Sequence, residues 1–297
     1  MVYLSEDHFV TAHSSANPAA LRVPQGEVVK VKTKDCYSNG LRAEDDPRGE
    51  APCPVNACNP ATGAIFVEGA HPGDTLRVEV LSIDLDDYGT MRVSPKFGFM
   101  KHKVTRPITR AFRLKDGKAS LSGVEIPLEP MIGVIGVAPE TGEMDTETPH
   151  QHGGNMDTRF IRAGSTLYLP VHHEGALLSM GDVHAQMGDG EMGVCGLECP
   201  AEITVRLSVI PGRKEECPVL LYDGVFYTIC SAETLEQAGH LAADNMLEFL
   251  KKRVDMDPDE LVMLMSLVCD LEVSQVVDPL LTARVALRKG IFKDLAF

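Results

Sequence analysis

Between Val28 and about Glu216 the chain is a series of short apolar runs with a period of two, separated by turns, and this feature most restricts its fold. EVVKVKTKD, DTLRVEVLSIDL, KASLSGVEIPL, MIGVIGVAP, STLYLPV and AEITVRLSVI each read as β-type runs. The alternation in VKVKT, LRVEVLSI and ITVRLSVI gives one face to a core and the other to solvent or a second layer. With 26 Gly and 19 Pro, many of them between these runs, the connections are turns and loops. The expected fold is β-rich α+β: a β-sandwich or barrel-like body over about 1–216, and an α+β portion over about 217–297.

After residue 230 the period lengthens. SAETLEQAGHLAADNMLEFLKKRV places Ser231 as an N-cap and sets Leu235, Ala238, Leu241, Ala242, Met246, Phe249 and Leu250 at helical spacing. DPDELVMLMSLVC offers a second amphipathic helix, with Asp257 as cap and Pro258 at the first helical position, where a missing N–H costs nothing. Met256, Met263 and Met265 read as core filler. The two helices are expected to cover one face of a sheet. No repeat or linker divides the chain, so 1–297 reads as a single compact unit.

Composition narrows the function. The formal charge of −15 and the lack of a Lys/Arg cluster argue against nucleic acid, which is held by cations that neutralise phosphates. Apolar runs stop well short of the ~20 residues a membrane span needs, so no membrane partner is expected and the cytoplasm is the expected location. The eight cysteines are too dilute for a disulfide scaffold. Cys53-x4-Cys58 and Cys195-x3-Cys199 lack zinc-knuckle spacing, and most of the eight read as reduced, small buried or loop thiols.

Three polar clusters stand against this background: KDCYSNG at 34–40, PHQHGGNMDTR at 149–159 and GDVHAQMGDGE at 181–191. Gly153 and Gly154 let backbone approach a ligand, Asn155 offers a donor and an acceptor, and Asp157 is an anionic ligand or base. On an extended chain Asn155 and Asp157 share a face, as do Asp182 and His184, and Asp189 and Glu191. Carboxylates with an imidazole suit a divalent cation, which lowers the pKa of bound water to about 7. Glu191 could then take the proton from that water while Asn155 and the glycine N–H groups hold the oxyanion. The competing reading of GDGE is an ordinary turn, with Asp and Gly chosen for backbone geometry. Asp35 suits a ligand and a turn-former alike, and Glu140 and Glu198 suit a site or a solvated strand end. His172 and His173, adjacent on a strand, point to opposite faces and read as surface or loop histidines. No G-x-S-x-G elbow, protease-like cysteine signature, G-x-G-x-x-G or P-loop is present.

Read together, HGGNMD at 152–157, LYLPV and GALLSMGDVHAQMGDGE within 167–191, and Glu198 resemble the acetamidase/formamidase family. VEGAHPGDTL at 67–76, MIGVIGVAPE at 131–140 and SQVVDP at 274–279 extend the likeness over nearly the whole chain. The resemblance implies a β-rich fold with an α+β portion, hydrolysis of a short aliphatic amide such as formamide or acetamide, and a homo-oligomer, most simply a dimer. It also implies a divalent metal, zinc first and calcium second. Carried over by position, it implies Asp35, Asp157, Asp182, His184 and Glu198 as metal ligands. Glu191 and Asp189 follow as catalytic carboxylates, and Gly153, Gly154 and Asn155 as substrate-binding groups. His71 departs from the pattern, standing where an acid is expected, and no role carries onto His172 or His173. The rival expectation is a non-catalytic metal or small-ligand binding protein on the same scaffold, since family likeness fixes a site better than a substrate.

Overall fold

A computed structural model describes residues 1–40, 59–213, 215–292 and 295–297. Cys53 and Cys58 lie outside the described residues. The strands that matter for the site are β1 (Val2–Leu4), β2 (Val28–Thr33), β3 (Ala61–Glu68), β4 (Thr75–Leu85), β5 (Met131–Gly136), β6 (Gly153–Asn155), β7 (Thr166–Pro170) and β8 (Leu178–His184). They are followed by β9 (Ala201–Ile210), β10 (Val219–Tyr222), β11 (Val225–Ala232), helices α1 (Leu235–Lys251) and α2 (Pro258–Val268), and strands β12 (Cys269–Gln275) and β13 (Leu281–Arg288).

Nine strands form one sheet in the order β1-β2-β9-β4-β7-β10-β11-β13-β12. This sheet runs through both parts of the sequence, so the change of period after residue 230 marks added helices rather than a break in the scaffold. A smaller sheet has the order β6-β5-β8-β3, with Phe9–Val10 at its edge. One core lies between the two sheets: Val29, Val31, Leu76 and Val78 from the large sheet share a cluster with Ile65, Val67, Ile132, Ile135, Leu178 and Met180 from the small one. The alternating runs therefore close a β-sandwich, each strand giving one row of side chains to the shared core.

β11 and β13 are buried on both faces. On β11, Tyr227 and Ile229 join the core between the sheets, while Phe226 and Cys230 join a second core with Ala242, Met246 and Phe249 of α1 and Val285 and Leu287 of β13. Burying a side chain such as Phe249 contributes about 2–3 kcal/mol, enough to hold α1 against the sheet. α1 is capped by Thr234, whose hydroxyl accepts from the Gln237 N–H, not by Ser231. Ser231 instead lies within β11 and pairs its hydroxyl with that of Thr282 across the ladder, because β11 continues through the expected cap to Ala232. At α2 the Asp257 cap and the Pro258 start hold, but Leu261 is the residue that helix buries. Met263, expected in the core, is 69% exposed, and Leu267 is 82% exposed.

Candidate active site

The two sheets bring the polar clusters together at one end of β5 and β8. Every residue of β8 is buried, and its last three positions carry Asp182, Val183 and His184. Glu198 is set opposite His184 by an antiparallel bridge and locked by reciprocal backbone bonds with Thr90 at 2.8 and 2.9 Å. Asp157 follows β6 and lies beside the same strand end. The Nε2 atom of His184 stands 3.2 Å from Glu198 Oε1, 3.5 Å from Asp182 Oδ2 and 3.8 Å from Asp157 Oδ1. Both His184 and Glu198 are 1% exposed, so these contacts are dry.

Three of the acids sit on backbone that L-residues avoid: Asp157 has φ 42°, Asp182 φ 52° and Glu191 φ 48°. Non-glycine residues hold such φ values only where their surroundings over-determine them, and they gather at functional sites. Below them Gly133 of β5 leaves the room they need, since a Cβ there would lie 2.5 Å from both Asp157 Oδ1 and Asp182 Oδ2.

The charge balance is uneven. Burial raises Asp157 to about 6 against the pull of His184, and raises Glu198 to about 8 for the same reason. Glu191 is pushed well above the usual carboxylate range by burial and by Asp157, and Asp278 by burial, Asp157 and Glu191. His184 is driven the other way: burial opposes its charge, but Glu198 and Asp182 outweigh burial and hold its pKa well above 6.5. Buried hydrogen-bonding atoms without a partner accumulate here: Asn155 Oδ1, Asp157 Oδ1, both ring nitrogens of His184, Glu191 Oε2, Glu198 Oε2 and Asp278 Oδ2. Orphaned buried acceptors are rare in folded proteins because each costs about 1–3 kcal/mol.

A divalent cation would meet both deficits. Asp157, His184 and Glu191 each offer a ligand atom within 4.8 Å of the others, and so do Cys36, Asp182 and Glu198. Zinc bonds of about 2.0–2.2 Å in a tetrahedron space neighbouring ligand atoms about 3.3–3.6 Å apart. The separations around His184 Nε2 bracket that spacing, so the residues present fit such an ion.

The expected residues do not all converge. Asp182, His184, Glu191, Glu198 and Asp157 do, and Asn155, Asp182, Glu191, Glu198 and Asp278 line a cavity of about 290 Å³ with Cys36 and Tyr37. Asp189 does not: both of its oxygens accept from Arg284, at 3.0 and 2.7 Å, and Arg159 lies 3.2 Å away. The period-of-two argument fails there because Gly190 (φ +93°) and Glu191 both adopt left-handed backbone, which turns Glu191 away from Asp189. Asp35 belongs to neither ligand group; its Oδ1 accepts from the N–H groups of Tyr37 and Asn39 at 3.0 and 2.6 Å, the turn-forming reading. Gly153 gives its N–H to His150 rather than to a ligand, and its missing Cβ spares a clash with the Ile135 carbonyl. Gly154 likewise serves close packing, a Cβ there meeting the Thr148 carbonyl at 2.5 Å. Glu140 is exposed, and His71, also exposed, pairs with Glu174 at 2.9 Å.

Cys36, Gly133 and Asp278 were not singled out by sequence reasoning. Asp278 lay in the SQVVDP block, and a buried acid after an apolar pair was the signal to follow. Cys195 and Cys199 form no zinc pair; their thiols bond the backbone of Arg92 and Tyr88.

The chain is similar to known proteins along its whole length. An acetamidase of known structure from Bacillus halodurans is 39% identical, covers 99% of this chain and 100% of its own, and superposes with a TM-score of 0.95. A predicted acetamidase/formamidase from Thermoanaerobacter tengcongensis is 40% identical over 98% of this chain and 96% of its own, also with a TM-score of 0.95. A putative formamidase of Schizosaccharomyces pombe is 24% identical over 253 residues, 65% of this chain and 62% of its own length. The matched part thus falls short of two thirds of that curated relative. The acetamidase/formamidase family model matches residues 12–148 and 141–294, and the chain belongs to that family.

Proposed function

We propose that the protein hydrolyses a short aliphatic amide, of the formamide or acetamide type, to ammonia and a carboxylate with the help of a divalent metal. The observation that carries this reading is the set of buried, unpartnered carboxylate atoms gathered around one imidazole at the floor of a cavity. Sites for larger ligands run to about 300–1,000 Å³, and a space of about 290 Å³ suits a small substrate and a water.

Asp157, Asp182, His184 and Glu198 would hold the cation, with Cys36 on the side of Asp182 and Glu198. Such an ion supplies a water of pKa about 7 and polarises a carbonyl. Zinc suits donors that include an imidazole and a thiol better than calcium, which takes oxygen ligands. Glu191 takes the proton from the attacking water through its unpartnered Oε2, burial and Asp157 having raised its affinity for a proton above that of an ordinary carboxylate. Asn155 turns its carboxamide to the substrate oxygen and steadies the charge that develops there. Glu191 then returns the proton to the departing nitrogen, which leaves as ammonia.

Ammonia release from formamide and acetamide, measured before chelation, after it and after zinc is restored, tests this. Release that is lost and regained with metal is expected. Bound metal without release from any short or cyclic amide would mark a binding protein instead.

We further read the chain as a cytoplasmic homo-oligomer, most simply a dimer. The apolar residues left exposed on α2 support assembly, and a molar mass of one chain in solution would remove that reading. None of the described helices is long and apolar enough to cross a membrane.

A further inference from the structure

Arg284 is the largest fully buried side chain among the described residues, at 0% exposure. It projects from β13, and four of its five N–H donors are taken by four acceptor atoms. Nη1 and Nη2 fork onto the two oxygens of Asp189 at 3.0 and 2.7 Å, Nε donates to Glu272 at 2.7 Å, and Nη1 also donates to the Ser274 hydroxyl at 3.2 Å. The guanidinium also lies over Phe160 at 4.7 Å.

Each of these contacts leads to a segment that carries a site residue. Asp189 is two positions before Glu191. The Ser274 hydroxyl bonds that of Thr158 at 2.9 Å, beside Asp157, and the Ser274 carbonyl accepts from the Gly190 N–H at 2.8 Å. The Gly190 carbonyl accepts from the Val276 N–H, and the side-chain Oε1 of the preceding residue, Gln275, accepts from the N–H groups of Val277 and Asp278 at 2.9 and 3.1 Å. Arg159 closes the figure by reaching Asp189 from the Asp157 side. One rigid planar fork on the large sheet therefore ties down the three segments that carry Asp157, Glu191 and Asp278 to the acid cluster.

We propose that Arg284 is a positioning residue for hydrolysis: through Asp189 and Ser274 it fixes the left-handed Gly190–Glu191 turn and thereby the direction of the Glu191 carboxylate. It touches neither substrate nor reacting atoms. The arginine is fully buried while its acid partners Asp189 and Glu272 keep 33% and 31% of their side chains exposed, and the bidentate fork fixes the direction in which Asp189 can lie. A base displaced by about 1 Å loses rate far out of proportion to any change in folding. The inference rests on the amidase reading of the site only for its kinetic consequence.

The test uses Arg284→Lys, which keeps the charge but cannot fork, and Asp189→Asn, which leaves the arginine in place and is the safer variant if the first does not fold. In Arg284→Lys, kcat for formamide should fall about thirtyfold while KM stays within about threefold. Backbone hydrogen exchange at Gly190 and Glu191 should quicken at least about tenfold in both variants, while exchange in β5 should not change. A merely structural role would move the unfolding midpoint and leave kcat of the folded enzyme alone. Unchanged kcat, or unchanged exchange at residues 190 and 191, in a folded variant overturns the proposal. If the wild-type protein releases no ammonia, the amidase reading has failed, and the exchange measurement still decides whether Arg284 holds the turn.

Discussion

Asp189 and Glu191 are separated by a single glycine, yet they belong to opposite kinds of charged cluster. Around Asp189, two arginines meet two acids, and both Asp189 oxygens are matched with donors. Around Glu191, the acids Asp157, Asp182, Glu198 and Asp278 surround one histidine, and atom after atom lacks a partner. Both clusters are charged and the second is almost wholly buried, so burial and charge do not separate structure from chemistry. Satisfaction does. The balanced cluster can hold its shape unaided, whereas the unbalanced one persists because the fold forces it, and a cation would relieve it.

That contrast can be broken by experiment. The largest effect should come from His184→Ala, which removes the contact shared by Asp157, Asp182 and Glu198: amide hydrolysis should fall about a thousandfold or more, some 4 kcal/mol. The unfolding midpoint should be kept, and retained turnover would take His184 out of the mechanism. Glu191→Gln should cost about a hundredfold or more in kcat with metal content unchanged, as read by metal analysis beside the kinetics. Gly133→Ala should weaken metal binding about tenfold and cost about 1–3 kcal/mol, because its methyl would enter the space of Asp157 and Asp182. Metal competition and denaturant unfolding measure the two parts. Asp189→Asn should cost clearly less activity than Glu191→Gln; equal losses would show that the two clusters are one.

The smallest effect concerns a pair outside the site. His13 and His152 stack edge-on with ring centroids 4.9 Å apart, and burial lowers His13 to about 4 and His152 well below 6.5. The unfolded chain therefore binds more protons than the folded one below pH 6.5, so the stability due to neutral His13 is present above that pH and is lost as pH falls toward 4. Between pH 7.5 and pH 5 the His13 share is about 2 kcal/mol. His13→Phe should flatten the denaturant-midpoint profile over that window, and an unaltered slope would remove His13 as its source.

Much of this was legible in the sequence. Alternation in EVVKVKT and ITVRLSVI announced a sandwich because a strand's two faces are written directly into its period. Asp182 and His184 were readable as a pair and do meet, although Asp182 itself stands on left-handed backbone within β8. Asp189 and Glu191 were not, because two left-handed residues between regular elements reverse a side chain's direction without leaving a periodic trace. Cys36, Gly133 and Asp278 depend on which strands become neighbours, and that is set by the whole sandwich. Ser231 and Thr234 are equally good caps in isolation, and the length of the β11–β13 ladder chose between them.

The order of strands in the large sheet has a consequence for how the protein comes into being. Arg284 and Asp278 lie near the end of the chain, yet they hold and complete a pocket whose other walls begin at Cys36. During synthesis the β-sandwich can gather early, but its cavity has no finished wall until the last strands have left the ribosome and slotted beside β11. Pairings between such distant residues are slow to find. The chain thus spends its assembly as an incomplete binding site, and competence for small ligands should arrive late and in one step.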